Sequence, residues 1–284
     1  MADSITPVAG GQSAAGQPGQ SVPRLLMRGI SKSFGAVRAL NKVDFEVYAG
    51  EVVGLVGDNG AGKSTLIKVI AGVGPADEGE IFIEGRPVKI PSPQVAARLG
   101  IETVYQDLAL CDNLDVVSNL FLGREEVTPY GAMDEIDMER RTLEVLRSLD
   151  VKIPSVRVAV SALSGGQRQS IAVAKTILRR ARIILLDEPT AALGVAQTRQ
   201  VLQLIRRLRE QGLAVVVISH NLADVFEVVD RVIVLRLGRR VGTFDVKNTS
   251  QERVVAAITG AEFGELLHAG GDSTNGAKSA EGGR

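Results

Sequence analysis

Apolar residues follow two different periods along this chain. Glu51-Val-Val-Gly-Leu-Val56, Ile183 to Leu186 and Ala214 to Ser219 are nearly unbroken apolar runs of strand length. Runs without polar alternation suit strands buried on both faces. After each run the period changes. Thr65 to Ala71 carries Leu66, Ile67, Val69 and Ile70, which predicts a largely buried helix. Val201, Leu204, Ile205 and Leu208 fall at i, i+3, i+4 and i+7, and Leu222, Val225, Phe226 and Val229 repeat that pattern. Strands and helices therefore alternate, as in an α/β core.

The remaining segments add detail around that core. From Leu25 to Val53, short apolar stretches punctuated by Gly35 and Gly50 predict small antiparallel strands. Glu80 to Ile83 and Val88 to Ile90 read as strands, and Val95 to Leu99 as a short helix. Asp107 to Ser161 has apolar residues at helical spacing, among them Met138, Leu143, Leu146 and Leu149, and reads as a mostly helical insertion. Ser164 caps a long helix through Leu178, with Ile171, Ala174 and Leu178 along one face. Val232 to Leu235 and Val241 to Phe244 flank Gly238 as a hairpin.

Composition narrows the class. The 284 residues are 45% hydrophobic and 23% charged, enough for one large core with a subdomain. Lys plus Arg (33) balance Asp plus Glu (33), so no global charge points to nucleic acid. Cys111 is the single cysteine, so no intrachain disulfide can form, as suits a reducing compartment. No apolar run approaches the roughly 20 residues that span a bilayer. Residues 1–22 are rich in Ala, Gly, Gln, Ser and Pro without the basic start and apolar block of a secretory signal, and read as a disordered lead. Residues 269–284 read as a disordered tail, which leaves one folded unit over 23–262 with the helical subdomain at about 107–180.

Candidate chemistry begins at Gly57-Asp58-Asn59-Gly60-Ala61-Gly62-Lys63-Ser64-Thr65, between a predicted strand and a predicted helix. That is the P-loop pattern in its required context. Glycines at 57, 60 and 62 let successive N–H groups converge on phosphate oxygens, and the helix adds its positive N-terminus. Lys63 places a charge on the β/γ-phosphates, Ser64 offers a hydroxyl to Mg²⁺, and Thr65 is a second hydroxyl on the α-phosphate side. Asp187 ends a buried strand, where its carboxylate suits a Mg²⁺ contact. Glu188 is the candidate to polarise the attacking water.

Downstream lies Leu163-Ser164-Gly165-Gly166-Gln167 at a helix N-terminus. Ser164 and the amides of Gly165 and Gly166 form a second anion site in a chain whose P-loop already holds one. Together with the P-loop and Ile183-Ile-Leu-Leu-Asp187-Glu188-Pro-Thr190, this set resembles the ABC ATPase family over roughly Leu25 to Gly260. The resemblance implies a P-loop NTPase core with a small antiparallel β-subdomain and an inserted helical signature subdomain. It implies that Ser164, Gly165, Gly166 and Gln167 close over ATP held by the P-loop of a second copy. It also implies that Gln106 senses Mg²⁺ and the attacking water, that His220 is the switch histidine near the γ-phosphate, and that Phe34 stacks on adenine. A core phenylalanine is the rival reading of Phe34. His268 reads as structural. Gly194 departs from the family, which usually has Asp at that place.

Tyr105-Gln106-Asp107-Leu108-Ala109-Leu110, Asn119-Leu-Phe-Leu-Gly-Arg-Glu125 and Ala191-Ala-Leu-Gly-Val195 resemble the ribose, xylose and fructose import branch. That branch implies ATP and Mg²⁺ as cofactors, a homodimer on the cytoplasmic face of the membrane, permease subunits, and indirectly an extracytoplasmic sugar-binding protein. Members of the branch often carry two ATPase halves, whereas this chain ends soon after Ile258-Thr259-Gly260, so it is expected to pair with a second chain. Part of Leu114, Val116, Val117, Leu120 and Phe121 is expected to form a groove for a short helix of the membrane subunit; subdomain core is the rival reading, and single residues can do both. The alternative function is a soluble ABC ATPase acting on ribosomes or DNA; the chain shows neither a second cassette, nor a long coiled coil, nor a basic stripe.

Overall fold

The computed structural model describes residues 22–261. The rest of the expected lead, the expected tail and His268 lie outside them. A four-stranded antiparallel sheet is built from β1 (Leu25–Phe34), β2 (Val37–Val47), β4 (Glu78–Ile83) and β5 (Arg86–Val88), in the order β2-β1-β4-β5. The second sheet runs β10-β9-β3-β8-β7-β6. Its members are β3 (Val52–Val56), β6 (Ile101–Val104), β7 (Ile183–Asp187), β8 (Ala214–Ile218), β9 (Arg231–Arg236) and β10 (Arg239–Asp245). The pairings β9–β3, β3–β8, β8–β7 and β7–β6 are parallel, and β10 closes one edge as an antiparallel hairpin.

The apolar runs divide between two cores with period two. Val52 and Val56, Ile184 and Leu186, Val215 and Val217 face one hydrophobic cluster. Val53 and Leu55, Ile183 and Leu185, Val216 and Ile218 face the other. The first cluster is covered by α5 (Gly165–Leu178), α6 (Val195–Glu210), α7 (Leu222–Val228) and α8 (Gln251–Thr259). The second is covered by the antiparallel sheet with α1 (Lys63–Ile70) and α2 (Pro93–Arg98). A parallel sheet buried on both faces explains why its strands carry no polar alternation. Gly54 interrupts β3 because a Cβ there would lie 2.8 Å from Val225 on α7.

Three expectations change. The strand β6 and the helix α8 had not been anticipated. β6 is only four residues long and contains Glu102, a buried carboxylate paired with Arg179 at 3.3 Å. The cation that offsets its charge lies 77 residues away, which no local period signals. The strand expected at Val88 to Ile90 is β5, which ends at Val88. The stretch expected to be mostly helical holds two helices, α3 (Val116–Phe121) and α4 (Glu135–Ser148), with long irregular segments, including a hairpin closed by the Val127–Met133 bridge.

The groove reading of Leu114 to Phe121 is corrected here. Val116, Val117, Leu120 and Phe121 are buried in the first cluster, and Leu114 is half-buried. The four buried residues are subdomain core. Asn119, itself fully buried, explains why this stretch turns inward. Its side-chain Oδ1 accepts from Cys111 N–H at 2.7 Å, and its Nδ2 donates to the carbonyls of Cys111, Leu114 and Asp115. One amide thus satisfies the backbone of the loop leading into α3. The exposed apolar residues of the subdomain are instead Leu122, Val127, Tyr130, Met133 and Ile136.

Candidate functional site

Strand register gathers the site at one edge of the parallel sheet. Leu55 pairs with Ile218, Asp187 with Ile218, and Val104 with Leu186. The carboxyl ends of β3, β8, β7 and β6 are therefore level. The P-loop leaves β3, Glu188 follows β7, Ser219-His220 follow β8, and Gln106 lies two residues beyond β6. Ligands of open α/β sheets bind at this edge.

The P-loop is shaped by what crowds it. Gly57 has φ +149°, and a Cβ there would sit 2.2 Å from the carbonyl oxygen of Leu235 on β9. Gly62 has φ +104°, and its Cβ would meet Ala39 O at 2.7 Å and Leu40 at 2.9 Å. Both positions need glycine for conformation and for space. The β9–β10 turn locks the loop from outside. Gly238 N–H donates to Ala61 O at 3.0 Å, and Asn41 N–H donates to Gly238 O at 2.8 Å. Asp58, Asn59, Gly60 and Ser64 are exposed, Ala61 is buried, and Thr65 is half-buried. The N-terminus of α1 has no side-chain cap and no acidic residue in its first turn, so its amides and dipole are left for an anion.

Lys63 folds back over the loop. Its Nζ donates to Gly57 O at 2.6 Å and Asp58 O at 3.0 Å. Burial lowers its pKa, opposed by the nearby Glu188, Asp58 and Asp187. Asp187 is shifted upward, chiefly by burial and then by Glu188, with Lys63 opposing. These mutual influences place Lys63, Asp187 and Glu188 in one small volume. Among the described residues, no group of three or more His, Cys, Asp or Glu could hold a metal ion by itself. One carboxylate (Asp187), a hydroxyl (Ser64) and an amide (Gln106) fit a magnesium ion that takes its remaining ligands from water and substrate phosphates.

Glu188 has φ +50°, and its N–H donates to Ile218 O at 2.9 Å. This uncommon conformation for a non-glycine residue turns the chain sharply out of β7. The Glu188 carboxylate is largely shielded, and Oε1 lies 2.9 Å from Nδ1 of the exposed His220 side chain. Gln106 is exposed. Phe34 is 56% exposed at the end of β1, which removes the core reading. The ammonium of Lys32 lies 5.7 Å from its ring centroid.

The signature region is a capping box. Gln167 N–H donates to Ser164 Oγ at 3.3 Å, and Ser164 N–H donates to Gln167 Oε1 at 3.0 Å. Gln167 Nε2 also donates to Lys152 O at 3.0 Å. The first-turn amides of Gly165 and Gly166 have no intrahelical acceptor. The structure adds a second reason for these glycines. A Cβ on Gly165 would meet Leu193 at 2.8 Å, and one on Gly166 would meet Gln197 and Gln200 at 3.1 Å. The start of α5 is thus pressed against the loop and helix that follow Glu188. Sequence reasoning missed Leu193, Gln197 and Gln200, because contacts between segments this far apart leave no local pattern.

Gly194 is the N-cap of α6, with φ −73° and ψ 163°. Its N–H donates to Gln197 Oε1 at 3.4 Å, and a side chain built on it would meet open space. Glycine is not sterically required there.

Residues 40–191 match the family described as ABC transporter. The chain is 45% identical over 247 residues to the fructose import ATP-binding protein of Rhizobium meliloti, covering 84% of this chain and 95% of that protein. It is 45% identical over 242 residues to the xylose/arabinose import ATP-binding protein of Sulfolobus acidocaldarius, covering 85% and 96%. It is 44% identical over 243 residues to a ribose import ATP-binding protein of Rubrobacter xylanophilus, of which it spans 48%. Among solved structures it resembles a nucleotide-free ATP-binding cassette, with TM-score 0.71, 23% identity and coverage of 86% and 98%. It also resembles a dimeric cassette in a post-hydrolysis state bound to ADP and Pi, with TM-score 0.65, 26% identity and coverage of 79% and 100%.

Proposed function

The chain belongs to the ABC transporter family of ATP-binding proteins, and we propose that it is the ATP-hydrolysing subunit that energises uptake of a sugar through membrane permease subunits. It binds nucleotide and is an ATPase, as members of the family are. The sugars that the relatives import support uptake of a monosaccharide such as fructose, xylose or ribose. Dimeric cassettes among the similar solved structures support pairing with a second copy. No helix among the described residues is long and apolar enough to cross a membrane. In this reading the subunit couples to transport through the permease at the cytoplasmic face, as import ATP-binding relatives support.

The P-loop cradle is the observation that carries the reading. Gly57 and Gly62 leave no room for a side chain, and the helix N-terminus is left open to phosphate. In this reading, Gly57 to Thr65 hold the nucleotide, with Lys63 on the β/γ-phosphates and Phe34 against the base. Ser64, Gln106 and Asp187 hold Mg²⁺, whose role is to neutralise developing phosphate charge. Glu188 orients the attacking water, and His220 braces it and the γ-phosphate. Ser164 to Gln167 close on the nucleotide of the partner copy. Loss of the γ-phosphate removes the charge holding the two faces together, and the clamp reopens. A sugar-binding protein outside the membrane would deliver substrate to the permease.

Copurification from the native membrane tests the assignment. The expected result is a polytopic permease, with a monosaccharide that raises ATP turnover when its binding protein is added. Recovery on ribosomes or nucleic acid would overturn it. Lys63→Ala should lower nucleotide affinity by about tenfold or more, since a charge-assisted contact is worth about 1.5–3 kcal/mol.

A further inference from the structure

The loop from Glu188 to Gly194 joins β7 to α6 and has two non-glycine residues at positive φ, Glu188 at +50° and Ala192 at +58°. Such conformations persist only where surrounding contacts hold them. Local turns supply some contacts: Ala191 N–H donates to Glu188 O at 3.1 Å, and Leu193 N–H to Thr190 O at 3.3 Å. Contacts that leave the loop include the Glu188 N–H bond to Ile218 O at 2.9 Å and a side-chain bond. Thr190 is buried, and its hydroxyl donates to Asp224 Oδ2 at 2.7 Å.

Asp224 stands in the first turn of α7, the helix that starts just after His220. Asn221 caps α7, its Oδ1 accepting from Ala223 N–H and Asp224 N–H. The same two segments therefore meet twice. Glu188 meets His220 at 2.9 Å on the site side, and Thr190 meets Asp224 at 2.7 Å behind it. One residue, Pro189, separates Glu188 from Thr190, and three separate His220 from Asp224. The contacts and the backbone between them close a small ring. The Glu188 N–H bond to Ile218 O fixes where the loop leaves the sheet, and the rear bond fixes the direction the two segments take from there, and so the spacing of the front pair. Farther along the loop, Leu193 packs against Gly165 of α5. A shift of the loop would thus reach the signature helix as well.

We propose that Asp224, acting through the Thr190 hydroxyl, is a positioning residue for hydrolysis. It latches the loop that carries Glu188 to the helix that follows His220. The bond touches neither nucleotide nor the P-loop, so its loss acts on turnover and not on ATP binding. The inference rests on the reading of Glu188 and His220 as the hydrolytic pair.

The test uses the full chain at saturating Mg·ATP, with kcat, KM for ATP and thermal melting measured together. Thr190→Val and Asp224→Ala should each lower kcat by about tenfold or more, because small displacements of reacting groups cost up to about a hundredfold. KM for ATP should stay within about twofold. Thr190→Ser and Asp224→Asn keep a donor and an acceptor, and should return kcat to within about threefold of the parent. The double variant should lose no more than the worse single, as for two halves of one interaction. Near-parent kcat in folded Thr190→Val would overturn the latch. So would failure of serine to rescue, multiplying losses in the double variant, or a loss that vanishes once activity is normalised to folded protein. Glu188→Gln runs in parallel: parent-like turnover there would remove the hydrolytic pair itself, whereas its inactivity beside an active Thr190→Val would remove only the latch.

Discussion

His220 Nδ1 lies 2.9 Å from Glu188 Oε1, although the two residues follow different strands, β8 and β7. The carboxylate is the shielded partner and the imidazole the exposed one. That asymmetry suits a base fixed by the fold and a histidine free to respond to what binds above it. Glu188→Gln is expected to bind Mg·ATP and dimerise while losing turnover by about 10²- to 10⁴-fold, the usual worth of a general base. His220→Ala should also lose turnover, with ATP affinity little changed. Phosphate release and equilibrium nucleotide binding on the same preparations decide both.

Asp187 is held in a setting that disfavours its charge. Burial raises its pKa first and Glu188 adds to the rise, while Lys63 opposes. Between the ordinary aspartate value and the raised native one, the native state binds more protons than the unfolded state. Stability contributed by this group therefore falls as pH rises through that window. Asp187→Asn should raise the melting temperature of the nucleotide-free protein at pH 7. The gain should shrink as the pH falls toward about 4, near the ordinary aspartate pKa. A gain that does not change with pH would separate the effect from titration.

Two positions in the helical subdomain separate core from surface. Leu120 is 3% exposed within the first cluster, and Ile136 is 85% exposed in the first turn of α4. Leu120→Asp buries an unpaired charge and is expected to cost more than about 4 kcal/mol, enough to abolish folding. Ile136→Asp should stay within about 0.5 kcal/mol of the parent, since its side chain meets solvent near a helix N-terminus. Chemical denaturation of both variants measures the contrast. Leu120 is consequently unsuitable for testing a permease interface, because loss of folding would mask loss of coupling.

Gly194 caps α6 with ordinary extended backbone and open space where a side chain would stand. The first turn of α6 has no acidic residue. Gly194→Asp should therefore stabilise the isolated subunit by about 0.3–1 kcal/mol, through a side-chain cap and the helix dipole. A urea unfolding midpoint lower than the parent's would show that the space is not open.

Much of this protein is legible in its sequence because the relevant physics is local. The P-loop needs glycines, a lysine and a hydroxyl within nine consecutive residues, and Ser164 with Gln167 forms its capping box inside a single turn. Unbroken apolar runs announced β3, β7 and β8, because strands covered on both faces tolerate no polar alternation.

Other features arise only when distant segments meet. Val116 to Phe121 has the composition of an apolar docking face, and Asn119 turns it into core by binding four backbone groups of the preceding loop. Phe34 could have been core or surface until β1 ended beside solvent. β6 is a strand through its pairing with β7, whose partner residues lie 82 positions away, and the Thr190–Asp224 bond joins residues 34 apart. The sequence by itself determined which segments are strands around a phosphate loop, and the chemistry they carry, because those choices depend on neighbours within a few residues. Which glycines are pinned by packing, which apolar residues face water, and how Glu188 meets His220 were decided by the tertiary structure, because those contacts cross long stretches of chain and exist only once the sheet has brought its strand ends level.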